Sequence, residues 1–443
     1  MTVLDLIAGI ALAGIWLRQL MVLAAIARSA RFLGQPQPSR ARGRDGDEPT
    51  FFVVLPVLRE AAVIADAVAH FETMVHGHAA QVIVVTTERE TVDTHLRSGE
   101  TDTVALVEQL AGRGKVVHLH YPDPHGLKGD QLNFAARYCA STLLGDVPAD
   151  RAFLVCYDAD SRPPLDSLDH FEHAAARFRD ASVFHQSARF ELRARPASRA
   201  RGITSWLSYG VGEGAALRAN RFVLGFEIPR LVNRSGAVSQ FKRRLCSYVY
   251  AHVTGHGLCV RLSLLLDLPF PARSPLEDMH YSFYLGSRNL PMVAVPSLDR
   301  AEVPSSVAAQ VGQAGRWFFG PARCLRYLRD PATQPGWRAV VMAASALGSS
   351  LEWLGCAVVP AATALLLAFG HGPARWMAAA VAAAYAGQLV LTDAALGSPV
   401  SWRRRVVRVL LCPVAATLFG IGGFAGMVRL LRGGSGVGKT ERR

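Results

Sequence analysis

Four stretches of this chain are too long and too apolar to be ordinary core helices. Residues 3 to 27 form the first, and Ala339 to Gly370, Trp376 to Gly397 and Val406 to Leu431 form three more toward the other end. A bilayer core takes about 20 consecutive apolar residues as a helix, and without water to satisfy open amides only helices or closed barrels can cross it. The pattern therefore predicts one N-terminal and about three C-terminal transmembrane helices around a soluble part. Half of the 443 residues are hydrophobic, as such a chain requires. The first run has its basic residues after it (Arg28, Arg31, Arg40, Arg42, Arg44) rather than before, which is the wrong order for a cleaved signal. Positive residues stay on the inner side, so the middle of the chain is expected in the cytoplasm beneath a cell (inner) membrane. One helix plus three leaves the basic tail 432–443 outside, against the same rule. Arg18 lies two thirds of the way along its run and can snorkel toward the inner face, whereas Glu352 should face a bundle interior or a polar passage, and Glu352 and Asp393 are the acidic residues available to line a channel.

Between these runs the pattern changes. Residues 28 to 50 are basic and Pro-rich with no periodicity, a linker. From Phe51 to about residue 330, short β-branched runs alternate with helical spacing: strands at Phe51–Leu55, Gln81–Thr86, Val116–His120 and Phe153–Tyr157, helices at Ala61–Met74 and near Val104–Gly112. That alternation predicts an α/β domain with a mostly parallel sheet. A further strand is expected at Ser182–Glu191. The basic stretch Arg193–Tyr250 is read as amphipathic pieces along the membrane face, and residues 337–431 as the C-terminal helices.

The net charge of +13 is almost all arginine, since only Lys115, Lys128, Lys242 and Lys439 are lysines. With basic clusters beside apolar runs and no interleaved aromatics, the charge suits membrane lipids and a phosphorylated small substrate, not nucleic acid. The seven cysteines are scattered, without metal spacing, and read as small core residues of a reducing compartment. Gly433-Gly-Ser-Gly-Val-Gly438-Lys439-Thr440 satisfies a phosphate-loop pattern, but it follows a membrane run and lacks the strand and helix that make such a loop work.

The strand at Phe153 ends in Asp158-Ala159-Asp160 and then Pro163-Pro164. Carboxylates at the carboxyl end of a strand point where α/β sheets bind ligands, and they suit a hard divalent cation on a diphosphate. Alone, this Asp-x-Asp reads more readily as a turn. Downstream lie Gly255-His256-Gly257, Glu277-Asp278, Glu302-Val303-Pro304 and Gln313-x-x-Arg316-Trp317; upstream lie Pro56-Val-Leu-Arg-Glu60 and Lys128 with Leu132-Asn133.

In this order the set resembles the membrane-embedded family 2 glycosyltransferases: cellulose, chitin and hyaluronan synthases and ceramide glucosyltransferases. The resemblance spans roughly residues 50 to 330. It implies a GT-A nucleotide-diphospho-sugar domain and an inverting hexosyltransferase, moving sugar from a UDP-sugar to a polysaccharide or lipid acceptor. It implies Asp278 as catalytic base. Pro56, Glu60, Lys128, Asp158, Asp160, Gln313, Arg316 and Trp317 would hold the nucleotide sugar, Asp160 would bind Mg2+ or Mn2+, and His256, Glu277 and Trp317 would face the acceptor. Each has a plainer reading: Glu277-Asp278 as a helix cap, Trp317 as an interfacial anchor, His256 as a turn residue, Lys128 as a surface charge. The second strand ends in Glu88 and Glu90 where the family commonly has an aspartate for the nucleoside, so the base is open. Single transfer to a lipid and an inactive membrane scaffold remain the alternatives.

Overall fold

The computed structural model describes residues 3–36, 48–92, 102–113, 116–192, 203–234, 246–304, 306–397 and 401–433. The phosphate-loop look-alike, from Gly434 on, lies outside them, as do Lys115, Lys242 and Lys439.

Seven strands make one sheet: β1 Thr50–Pro56, β2 Ala80–Thr87, β3 Val116–Tyr121, β4 Ala152–Cys156, β5 Val183–Glu191, β6 Leu258–Arg261 and β7 Met292–Glu302, ordered 3-2-1-4-6-5-7. β1 pairs in parallel with β2 (Val53 opposite Val82) and with β4 (Val53 opposite Val155). Because side chains alternate along a strand, Phe52, Val54, Ile83, Val85 and Leu154 enter one core, while Phe51, Val53, Val82, Val84 and Phe153 enter the other. Both faces are covered, which is why these strands read as unbroken apolar runs.

The helices used below are α1 Val3–Leu33, α2 Ala61–Val75, α3 Thr103–Ala111, α4 Lys128–Tyr138, α5 Ser167–Arg177, α6 Ile203–Phe222, α7 Glu277–Ser287, α8 Val307–Trp317, α9 Trp337–Phe369, α10 Gly372–Ala395 and α11 Trp402–Leu431. Four of them, α1 from Ile10 and the whole of α9, α10 and α11, are long and apolar enough to cross a membrane. α1 runs on past residue 27 to Leu33, since nothing before Gly34 breaks it. The described chain is thus an α/β domain built on one mostly parallel sheet, with one N-terminal and three C-terminal candidate spans.

Two expectations need correction. The amphipathic reading of 193–250 does not hold for α6: Gly210 to Leu217 are all buried, and the helix packs between β5 and α11. Its buried Glu213 accepts from Arg404 and Arg408, so those basic residues at the head of α11 neutralise a carboxylate. Asp393, offered by the sequence as a possible channel lining, is instead buried and ion-paired to Arg405 (3.1 Å) and Arg408 (3.0 Å).

The antiparallel strand β6 matters most for the site. It pairs with β4 so that Leu258 lies opposite Cys156, and its lead-in therefore arrives at the same sheet edge as the end of β4. Gly257 makes that arrival possible: its φ is +65°, and a Cβ there would stand 2.3 Å from the Gln186 carbonyl oxygen.

Candidate active site

The strand order reverses between β1 and β4, and in open α/β sheets ligands bind in the crevice beyond the carboxyl ends at such a point. Pro56, at the end of β1, and Asp158, just past β4, both line a cavity of about 1250 Å³ there. Glu60, Lys128, Asp160, His256, Glu277, Asp278, Gln313, Arg316 and Trp317 line the same cavity. All eleven residues singled out in the sequence thus converge, from segments as far apart as β1 and α8.

The convergence is built from charge pairs and amide bonds. Lys128, the first residue of α4, donates to Asp158 Oδ1 (2.6 Å) and to the Gly255 carbonyl (2.6 Å), with Glu277 Oε1 at 3.9 Å. Burial alone would strip its proton, but Asp158 and its acidic neighbours raise its pKa well above the usual lysine range. Asp278 accepts from the Gly255 amide through Oδ2 (2.8 Å) and from the Met279 amide through Oδ1 (2.7 Å). The second bond is the helix-end contact of the plainer reading. The first ties α7 to the Gly-His-Gly segment, which a cap alone would not do. The N-cap position itself is Leu276, which makes no side-chain capping bond.

Glu277 is buried beside Asp278, and burial together with that second carboxylate pushes its pKa up to about 8. His256 Nδ1 lies 3.3 Å from Asp299 Oδ2 of β7, a charge pair not aligned as a hydrogen bond. Burial opposes the imidazolium, but Asp299 and Asp158 outweigh it and bring the His256 pKa to about 9. Asp299 is itself fixed by the Arg162 amide (2.9 Å). Behind the site Tyr157 donates to Gln186 Oε1, and Gln186 Nε2 donates to Ser167 and Ser297 (2.9 and 2.8 Å), a satisfied buried network that stiffens the floor.

Helix α8 brings Gln313, Arg316 and Trp317. It lies against α11 at backbone distance, since a Cβ on Gly426 would meet the Gly315 oxygen at 2.5 Å. Small residues permit that approach between apolar helices. Glu88 and Glu90, the glutamates at the end of β2, do not line the cavity; Glu88 contacts His120 Nε2 (2.9 Å) and Glu90 accepts from the Arg59 amide (2.9 Å). Thr87 and Arg89 stand at the wall instead.

Residues 223–392 match the family model described as "Glycosyl transferase family group 2". That stretch is similar to the family 2 glycosyltransferases. The matched stretch begins later than the resemblance in the sequence and runs further, holding Gly255–Gly257, Glu277-Asp278 and Gln313–Trp317 but not Asp158 or Asp160. No curated protein matches this chain in sequence. Among solved structures it is similar to mannosyltransferase PcManGT from Pyrobaculum calidifontis in complex with GDP-Man and Mn2+, at 17% identity and a TM-score of 0.48, over 96% of this chain and 98% of that one. A likeness of that degree assigns this chain neither donor nor metal.

The sequence did not single out Arg218, Arg221, Arg230, Tyr250 and His252, which line the cavity where it enters the helix bundle. Their signal was Arg218 and Arg221 one helical turn apart, with Phe222 and Phe226 following, inside a stretch that reads only as basic. One three-residue group of metal-ligand type occurs among the described residues, His78, Asp169 and Glu172, and none of the three lines the cavity.

Proposed function

We propose that the protein is a glycosyltransferase that moves a sugar from a nucleoside diphosphate sugar, UDP in the first instance, to a hydroxyl of a lipid acceptor, with inversion. The observation that carries this is one continuous cavity joining the carboxylates at the sheet edge to the interior of the helix bundle.

Asp278 is held by two amides with its carboxylate at the cavity wall, placed to take the proton of the attacking hydroxyl. As the new bond forms at the anomeric carbon, the bond to the diphosphate breaks and its electron pair leaves with the phosphate oxygen. Lys128, His256 and Arg316 put cationic groups around that developing charge. With one base and no covalent sugar-enzyme step, the anomeric configuration inverts. Asp158 and Asp160 offer the carboxylate oxygens a hard cation takes, so the residues fit Mg2+ or Mn2+, with Asp160 as ligand. Bound there, the cation supplies positive charge at the diphosphate. Trp317 in the cavity wall offers a face for acceptor stacking, and Glu277, neutral below about pH 8, can donate a hydrogen bond to the acceptor.

A lipid is favoured over a growing polysaccharide by the part of the cavity along α9 and α10 beyond the arginines: Val359, Ala364, Leu367, Val381, Ala386 and Leu389 are apolar, whereas a polar polymer crossing hydrocarbon needs a polar passage. The reading places the sheet domain at the cytoplasmic face. The test is incubation of purified enzyme with a panel of radiolabelled nucleotide sugars and lipid extract. One sugar on a lipid, with inverted anomer by NMR, is expected; a ladder of long chains would establish extension instead.

A further inference from the structure

The bundle half of the cavity holds a cationic cluster with no role in the donor chemistry. After α6 the chain makes a wide π-helical turn, Val223–Glu227, a distortion that recurs at functional positions. It carries Phe226 into the cavity. The guanidinium carbons of Arg18, Arg221 and Arg230 stand 5.5, 5.9 and 5.8 Å from the centre of that one ring. Arg218 stacks 3.4 Å over the ring of Phe419, another residue of the lining. The neighbourhood's two carboxylates are engaged: Glu352 with Arg18 at 2.5 Å, and Glu227 with His185 at 3.2 Å. Arg221 is bonded to the amide oxygens of Gln388 and Gln19, which carry no charge. Among the described residues, neither Arg218 nor Arg230 has a carboxylate within ion-pair distance. Four guanidinium groups thus face two carboxylates, an excess of positive charge set among apolar helices. Uncompensated charge in such surroundings is costly.

Beyond the arginines the cavity follows α9 from Ser349 to Leu367. At 1.5 Å per residue that is about 27 Å along the helix, close to the roughly 30 Å of a bilayer's hydrocarbon. In the other direction it reaches Asp278. The sequence of surfaces is therefore a hydroxyl-activating carboxylate, then fixed cations, then an apolar groove.

We propose that Arg218 and Arg230, with Arg18 and Arg221 beside them, bind the phosphate of an anionic acceptor phospholipid whose tails lie along α9 and α10. This rests on the transferase reading and names its acceptor class. A base at Asp278 is needed only for a neutral hydroxyl, since a terminal phosphate is already a nucleophile without one. The lipid is accordingly a phosphodiester with a hydroxylated head group, its hydroxyl reaching toward Asp278.

The full-length enzyme, purified in detergent and mixed with phosphatidylglycerol or with diacylglycerol of the same tails, is examined by native mass spectrometry. Wild type is expected to retain phosphatidylglycerol at least tenfold more than diacylglycerol. The Arg218→Gln/Arg230→Gln pair is expected to lose that preference, and the Arg218→Lys/Arg230→Lys pair to keep most of it. Equal retention of both lipids by wild type, or an undiminished preference in the Gln pair, overturns the proposal. Tighter retention of an isoprenoid monophosphate than of phosphatidylglycerol overturns the phosphodiester assignment. Binding is read without turnover, and nucleotide-sugar binding is measured on the same samples. Failure of donor binding would bring down the transferase reading; failure of lipid discrimination alone brings down only this one.

Discussion

The two halves of the cavity treat charge in opposite ways. At the sheet edge the charged groups hold one another: Lys128 grips Asp158 and the Gly255 carbonyl, Asp278 sits on two amides, and His256 faces Asp299. In the bundle, guanidinium groups gather around Phe226 and Phe419 with too few carboxylates to match them. The first arrangement is set before a ligand arrives, as stabilisation of a transition state requires. The second has its electrostatic complement outside the protein. Preorganised chemistry and ligand-completed binding are thus placed side by side, and substitutions should separate them.

The largest effect is expected from Asp278→Asn. Loss of the base should lower kcat at least 10²-fold while leaving donor affinity within about twofold, by steady-state kinetics beside titration calorimetry. Should the loss fall on acceptor KM instead, the halves do not divide chemistry from binding, and Asp278 is no more than a helix-end residue. Next, Asp160→Ala should abolish the gain in nucleotide affinity that Mg2+ or Mn2+ brings, roughly tenfold or more, and leave affinity in chelator unchanged. A variant that still responds to the cation would move the ligand elsewhere.

How far these residues could be found without coordinates varies along the chain. β1, β2 and β4 were legible because burial on both faces leaves uninterrupted apolar runs, and α2 and α3 because they amass apolar residues at helical spacing. β6 and β7 were not foreseen. β6 has four residues, too few for any period to show. β7 contains Pro296, Asp299 and Arg300, which argue against a strand, and it accommodates them because it pairs only with β5 and the pairing shifts register between His185 and Ser187, beside the proline. The carboxylate pairs could be read from spacing and order. The arginine cluster could not, since it depends on α1, α6 and a π-helical turn meeting in space.

A moderate effect tests the preorganised half through pH. Glu277 has a folded pKa near 8 against 4.5 in an unfolded chain. The folded protein then keeps a proton that the unfolded chain releases, so this group's contribution to stability is intact below pH 4.5 and is lost as pH rises through 8. Glu277→Gln should remove that slope, with melting temperature near wild type at pH 5 and above it at pH 8.5. Parallel pH profiles for the two proteins would show that Glu277 ionises normally. The smallest effect should come from Glu352→Gln, which adds to the positive excess by freeing Arg18. Retention of phosphatidylglycerol should tighten about threefold, on the scale of a partly solvated ion pair. Weaker retention would mean that Glu352 positions the cluster rather than offsetting it.

The Arg18–Glu352 contact and the bonds from Gln388 to Gln19 join the first candidate span, α1, to α9 and α10. The wall of the bundle half of the cavity is consequently closed only by residues made long after α1. A ribosome-bound chain can finish its seven-stranded sheet long before it owns the bundle half of the cavity, because β7 ends at Glu302 and α10 begins at Gly372. On the proposed reading, transfer to a lipid would begin only once α10 is made, and a chain arrested after the sheet would carry the carboxylates of the donor site without α8 or the bundle half of the cavity.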